Sequence, residues 1–356
     1  MKVGTCFMAN EKDIYFITME NLSEYMDNDN KKLTDMELEN RVKLNFSLFK
    51  ENNNLEKKKM LLNNCLLTFK LFEGNISADL LFPVYYELIK IQSLTELKEA
   101  QALIEILYEK YLLFTSEAKN KYCSQLMEVL YIFAKMAYNS EEYEFLAETI
   151  NKIEKIYNEN DKSDDSNLFF AKTLALYGNL FFAIKEYNKA YSLFYNAYEI
   201  VELVTNGNKE KIENLAYLSF SLGNILFQAD YCTEAQDYFQ QAIKFCLDYD
   251  FQAKFEIMHL AYNYLSQVEV CLKEYDKAID IIKTYLDVTK DMFSGDDYTY
   301  ICAEFYFRIG LIYNKFKTDK ELCIKNMALA KEFIDQIHDK NEKATALLTR
   351  INDFLQ

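Results

Sequence analysis

Apolar residues fall along this chain in helical-period runs separated by short polar gaps, and one arrangement of them returns about every 44 residues. Lys185-Glu186-Tyr187-Asn188-Lys189-Ala190 is matched by Lys273-Glu274-Tyr275-Asp276-Lys277-Ala278. Between them, Asp230-Tyr231-Cys232-Thr233-Glu234-Ala235 repeats the pattern with its tyrosine one place earlier. The closing alanines are 45 and 43 residues apart. Twelve residues before each stands a small residue, Gly178, Gly223 or Ser266, and Gly310 follows 44 residues further on. A glycine inside a helix costs about 1 kcal/mol relative to alanine, so its recurrence calls for a packing reason. Two crossing helices supply one where a side chain would clash. The pattern therefore predicts helix hairpins. Stepped back by the same period it finds Ala134 with Tyr143, Leu146, Ile150 and Ile153, then Leu88 with Ala100, Ile104 and Leu107, and most weakly Leu44 with Leu55 and Met60. About seven hairpins result, with the polar gaps Asn158–Asn167, Asn206–Glu210 and Ser294–Asp297 as loops between them.

Composition narrows the class. One proline, Pro83, and seven glycines cannot supply the turns of a β protein, so the fold class is all-α. Half the residues are hydrophobic, and 28 Tyr and 27 Phe provide packing area without any Trp. A repeat array grows along one axis, so 356 residues do not require several cores. Residues 1–30 are read as a lead-in segment, within which Asp13–Met19 is either extended or helical. Residues 31–340 form the array, and residues 341–356 form a capping helix over Glu342–Leu355.

Tyr177-Gly178, Phe181, Tyr187, Ala190, Phe194 and Ala197 together resemble a tetratricopeptide repeat. Leu222-Gly223, Leu226, Ala235, Phe239 and Ala242 resemble a second copy. A third keeps Leu265-Ser266, Tyr275 and Ala278 but has Ile282 and Tyr285 in the later positions; a fourth keeps Ile309-Gly310 and Tyr313, with its second helix, Lys320 to Gln336, shifted in register. The resemblance implies a right-handed α-solenoid of TPR-like hairpins, firm from Ala134 onward. The repeat is about ten residues longer than the usual 34. Long repeats, chain length and an Asn-bearing concave face are also similar to the bacterial Rap-type peptide-pheromone receptors. The helix-turn-helix that many such receptors carry is not evident, because the period already claims residues from about 36 onward.

Charge and chemistry then exclude classes of function. A net charge of −16 and a pI near 4.8 oppose nucleic acid and anionic membrane as partners. No stretch of 18 apolar residues occurs, and Met1-Lys2-Val3-Gly4 leads into no apolar signal region. The eight cysteines are scattered singly with no CxxC pair, which points to a reduced, cytoplasmic protein. His259 and His338 are the only histidines, and neither has a Cys within four residues, so no zinc site is expected. Phosphate-cradling glycine loops are absent, and Ser294-Gly295-Asp296-Asp297 lacks the ligand spacing of a calcium loop. No catalytic residue, metal or cofactor is expected, and the chain is not read as an enzyme.

What the resemblance does imply is a concave groove. Its groove-facing positions fall on Asn179, Asn224 and Gln267; one turn earlier on Ala175, Phe220, Asn263 and Phe307; and three residues later on Phe182, Phe227, Val270 and Asn314. In the degenerate copy they fall on Tyr131, Lys135 and Tyr138. A carboxamide can both donate to and accept from a peptide backbone, and neighbouring aromatics offer pockets for apolar side chains. The competing reading leaves the Asn residues merely tolerated and the Phe residues in the core between repeats. The clamp by which chaperone-binding repeats grip a C-terminal carboxylate is missing, since Ala175 and Phe220 stand where it needs Lys or Arg. The expected function is a module binding a peptide or protein segment in its groove, more finely a bacterial regulator sensing a short peptide, as in quorum sensing. The Lys, Asn, Ile and Tyr bias fits an AT-rich bacterial genome. The alternative is a scaffold organising an assembly without any peptide ligand, and a homodimer is compatible with either.

Overall fold

The computed structural model describes residues 33–355, apart from 95, 208, 291, 293, 294 and 339. The lead-in at 1–30, its weak alternation at Asp13–Met19, and Ser294 lie outside the described residues. Among the described residues there is no strand. Seven consecutive hairpins are formed by α1 (Asp35–Glu51) and α2 (Leu55–Phe69), α3 (Ala78–Gln92) and α4 (Leu97–Leu112), α5 (Ser116–Asn139) and α6 (Tyr143–Glu159), α7 (Asp164–Ala183) and α8 (Tyr187–Glu202), α9 (Lys209–Gln228) and α10 (Cys232–Asp248), α11 (Lys254–Cys271) and α12 (Tyr275–Thr289), and α13 (Asp296–Ile312) and α14 (Lys320–Asp335). A last helix, α15, spans Glu342–Leu355. The chain divides into two compact units, Met1–Phe170 and Ala171–Gln356, with the boundary inside α7.

In the first unit the inward positions of the degenerate copies are buried as the period predicts. Ala100, Ile104 and Leu107 are at most 1% exposed, and Leu146, Ile150 and Ile153 at most 4%. The first hairpin corrects the sequence reading: Leu44, Leu55 and Met60 face solvent at 46%, 44% and 50% exposure. Its core is instead Leu38, Val42 and Phe49 against Leu61, Leu62 and Cys65. Asn45, next to Leu44, takes an inward position, and its Nδ2 donates to Oδ1 of the buried Asn64 at 3.0 Å. Two buried carboxamides that pair with each other break the apolar pattern without leaving both groups unsatisfied.

The second unit shows what the recurring glycines do. A Cβ on Gly178 would lie 2.6 Å from the Phe194 ring, and one on Gly223 would lie 3.0 Å from the Phe239 ring. Phe194 and Phe239 sit 16 residues after their glycines and are at most 1% exposed, so the ring of the second helix occupies the space a side chain on the first would need. Ring stacking continues the layer: Phe239 lies 5.7 Å from Tyr264 at an interplanar angle of 13°.

The turn inside hairpins three to six is closed by backbone hydrogen bonds of one pattern. Seven residues after the small residue, Glu141, Lys185, Asp230 and Lys273 all adopt left-handed φ between 60° and 66°. The next N–H then reaches back five residues: Glu142 to Ala137 O (2.9 Å), Glu186 to Phe181 O (2.9 Å), Tyr231 to Leu226 O (2.8 Å) and Glu274 to Glu269 O (2.8 Å). This closes the first helix with the Schellman arrangement that satisfies its orphan carbonyls. The identical turn at Glu141, where the sequence offers only Ala134 and no glycine, shows that the degenerate copy folds as the clear ones do.

Hairpin seven differs by one residue. Tyr313–Lys317 form a π-helical turn, Thr318 takes the left-handed position, and Asp319 N donates to Tyr313 O six residues back at 3.1 Å. The extra residue explains the shifted register of Lys320–Gln336. Cys323, Met327 and Ala330, all buried, take the places held by Ala235, Phe239 and Ala242 in hairpin five. Gly310 accordingly faces Met327, whose Cε would meet an added Cβ at 2.8 Å.

Cys232, at the start of α10, and Cys271, at the end of α11, bring their sulfurs to 2.6 Å although 39 residues separate them. Burial, and then its neighbour Cys271, push the Cys232 thiol up to about 12.

Candidate functional site

Within the second unit, a cavity of about 860 Å³ opens between α11, α13 and α15. Its walls are helix faces rather than loops. From α13 come Tyr300, Glu304, Phe307, Arg308 and Leu311, one turn apart along one stripe. The π-helical turn adds Asn314, Lys315 and Phe316, so the extra residue of hairpin seven carries three side chains into the wall. From α15 come Lys343, Ala346, Leu347, Arg350 and Phe354, again a single face. Ser266, Gln267 and Val270 of α11 complete it, with Phe227 of α9 and Ile282 of α12. An apolar lining with a few converging polar groups is what a ligand site needs. A second cavity, about 850 Å³ in the first unit, is lined largely by the segments Gly74–Asp79 and Leu113–Ala118 and has no comparable apolar floor.

The polar groups of the site are held in place by one another. Arg308 Nη1 donates to Asn263 Oδ1, and its Nη2 donates to Glu304 Oε1 at 2.8 Å. Gln267 Nε2 donates to the same Asn263 oxygen at 2.7 Å. Arg308 also lies 5.3 Å from the centre of the Phe305 ring. With two hydrogen-bonded partners and an aromatic plane, its guanidinium is fixed before any ligand arrives. Arg350 lies 4.8 Å from the centre of the Phe307 ring and forms no ion pair among the described residues. Its five N–H donors are available.

His259 stands behind this wall, with Nδ1 2.9 Å from Tyr285 Oη and its ring edge-on to Phe305. Burial holds its pKa below the ordinary value; Glu304 opposes this and Arg308 adds to it. The imidazole is therefore neutral near pH 7 and packed among aromatic rings.

Of the side chains proposed from sequence, Phe227, Gln267, Phe307 and Asn314 line the cavity, and Asn263 orients its arginine. Phe307 is the floor, only 3% exposed. The two asparagines at the centre of the sequence argument lie elsewhere. Asn179 is half-buried and paired with Tyr217, giving from Nδ2 at 2.8 Å and receiving at Oδ1 at 3.1 Å. Asn224 is half-buried, with its Oδ1 covered and without a hydrogen-bond partner. Phe220 packs in the repeat core against both Phe239 and Tyr264, and Phe182 packs on Tyr187. Tyr131 and Tyr138 belong to the first unit, half-buried, with Tyr131 beside Phe169 at 6.5 Å. Glu304, Arg308, Lys315, Lys343 and Arg350 were not singled out by sequence. Their signal was rarity: the chain has only three arginines, and two of them line this cavity.

No family model matches the chain, and no curated relative matches it. Solved structures do. The C-terminal part of a TPR repeat-containing protein from Cytophaga hutchinsonii aligns over 86% of this chain and 99% of its own, with 16% identity and a TM-score of 0.52. Aspartyl phosphate phosphatase F from Bacillus subtilis aligns over 99% of this chain and 96% of its own, with 14% identity and a TM-score of 0.48. A Rap protein complexed with Competence and Sporulation Factor aligns over 90% and 87%, with 13% identity and a TM-score of 0.40. At such identities the likeness concerns the fold alone: the hairpins of this chain are TPR-like helical repeats.

Proposed function

We propose that the chain is a binding module that takes a peptide or protein segment into the cavity between α11, α13 and α15. The observation that carries this reading is the cavity itself: a floor of Phe307, Leu347 and Ile312, with pre-oriented hydrogen-bonding groups at Asn263, Gln267 and Arg308 around it. An apolar floor holds side chains, while the carboxamides meet a backbone in either direction. A short-peptide regulator in a reducing cytoplasm is the finer form of the same proposal; the free buried thiols Cys65, Cys123 and Cys246 suit that compartment.

A selection of random dodecapeptides displayed on phage and panned against the whole chain tests it. Ala346 is exposed on α15 and lines the cavity mouth, so Ala346→Trp fills the mouth with little effect on folding. Peptides that bind the wild type and lose binding to Ala346→Trp support the reading. Peptides that bind both proteins equally, or an empty selection, overturn it.

A further inference from the structure

The cavity carries the opposite charge to the protein around it. The chain as a whole is at −16. The side chains lining the cavity include Arg308, Arg350, Lys315 and Lys343 against one carboxylate, Glu304. That carboxylate is already engaged with Arg308 at 2.8 Å. Arg350, Lys315 and Lys343 form no ion pair among the described residues, unlike Lys152, which pairs with Glu105 and Glu148. Lys315 instead lies 5.2 Å from the Phe316 ring centre, as Arg350 lies over Phe307. Cations held on aromatic faces keep their charge and donors directed outward. The cavity therefore holds more cations than carboxylates, with Arg350, Lys315 and Lys343 left for a ligand to neutralise.

We propose that the site selects an acidic peptide, one whose Asp or Glu carboxylates meet Arg350 and Arg308 on either side of an apolar side chain seated on Phe307 and Leu347. This rests on the peptide-binding reading above and adds the ligand's charge. Guanidinium suits the task because its planar fork pairs both oxygens of a carboxylate. The general negative charge of the chain reaches a ligand only over about 8 Å at physiological salt, so a ligand seated in the cavity feels the cations that line it more than distant surface carboxylates. Local attraction therefore decides the preference, and the acidic surface outside discourages carboxylate-bearing molecules from binding anywhere else.

The peptides enriched by the dodecapeptide selection are the probes. Enriched sequences should carry net negative charge, and their affinity, read by fluorescence anisotropy, should fall about tenfold or more in Arg350→Gln. Arg350→Lys should retain part of it, because charge survives while the fork is lost. Arg350 is exposed on α15, and an unchanged thermal melt of Arg350→Gln confirms that the fold is intact. Replacing Asp and Glu by Asn and Gln in an enriched peptide should cost as much as Arg350→Gln, and the two losses should not add. If enriched peptides need the cavity, as judged by Ala346→Trp, yet are neutral or basic, the charge inference is overturned and the peptide-binding reading stands. If they ignore Ala346→Trp, or none is enriched, both fall. If inorganic phosphate binds alone by calorimetry with the same Arg350 dependence and displaces the peptides at sub-millimolar concentration, the site is one for a small anion and the peptide assignment is overturned.

Discussion

Hairpins five and seven solve one problem in two ways. In α9/α10, Gly223 meets the rigid ring of Phe239, and the turn closes with Asp230 in the left-handed region seven residues on. In α13/α14, Gly310 meets the flexible end of Met327, and the left-handed residue, Thr318, comes eight residues on because a π-helical turn holds one residue more. Both keep the same inward triplet on the second helix. The crossing is therefore the fixed element, and an inserted residue is absorbed in the turn beside it. In hairpin five the turn residues take no part in the cavity. In hairpin seven it presents Asn314, Lys315 and Phe316 to the cavity. The hairpin with the irregular turn is the one that helps build a site.

The largest test of this contrast lies in the second-helix partners. Phe239→Ala removes a fully buried ring from between Phe220 and Tyr264 and should cost about 4 kcal/mol. Met327→Ala should cost less, about 2–3 kcal/mol, because a flexible side chain packs less specifically. Urea denaturation reads both. Equal losses would mean that the two crossings are packed alike.

Alanine at the glycines should separate the hairpins by sign. Gly223→Ala gains about 1 kcal/mol of helix propensity, but its Cβ presses on a ring that has nowhere to go, at a cost of about 1–3 kcal/mol. The net should be destabilising. In Gly310→Ala the Met327 methyl can swing aside, so the propensity gain should survive and the melt should rise or hold. A destabilised Gly310→Ala variant would show that Met327 is as tightly held as Phe239.

Hairpin six adds a titratable group to the same series. His259 occupies the position held by Ala216 in hairpin five and Ala303 in hairpin seven, both fully buried. Burial depresses its pKa, so the unfolded chain binds a proton first as pH falls. The stability this residue contributes is complete above the unfolded value of about 6.5 and is lost as pH drops through the folded one. His259→Gln should retain the link to Tyr285 and lose less stability than the wild type between pH 8 and pH 5.5. Parallel losses in the two proteins would place the acid sensitivity elsewhere.

Much of this was readable in the sequence, for a physical reason. Glycine and alanine at a helix crossing are dictated by backbone approach, so Gly178, Gly223 and Gly310 gave the fold and its period. Where the chain meets the crossing with ordinary residues, as at Asn45, the signal dropped out and the register was read one residue off. The site was harder to see. Groove positions carried over from repeat geometry reached Phe227, Gln267, Phe307 and Asn314, but Asn179 is taken up by Tyr217, a partner 38 residues away that no local spacing announces. The cations were hidden differently: Arg308 and Arg350 line one cavity only because α15 folds back beside α13, and a polar terminal helix read alone suggests nothing more than a cap.

The smallest effect belongs to the turn residues themselves, and it returns to the contrast between the two hairpins. A left-handed conformation costs an ordinary L-residue about 1–2 kcal/mol relative to its right-handed form, and glycine escapes this at the expense of a more flexible unfolded chain. A β-branched side chain suffers most there, and Asp among the least. Thr318→Gly should therefore stabilise hairpin seven by about 0.5–1 kcal/mol, whereas Asp230→Gly in hairpin five should change little. Paired thermal melts of the two variants measure the difference. If Asp230→Gly gained as much as Thr318→Gly, the strain would belong to the left-handed turn as such and not to the residue that the π-helical turn obliges to occupy it.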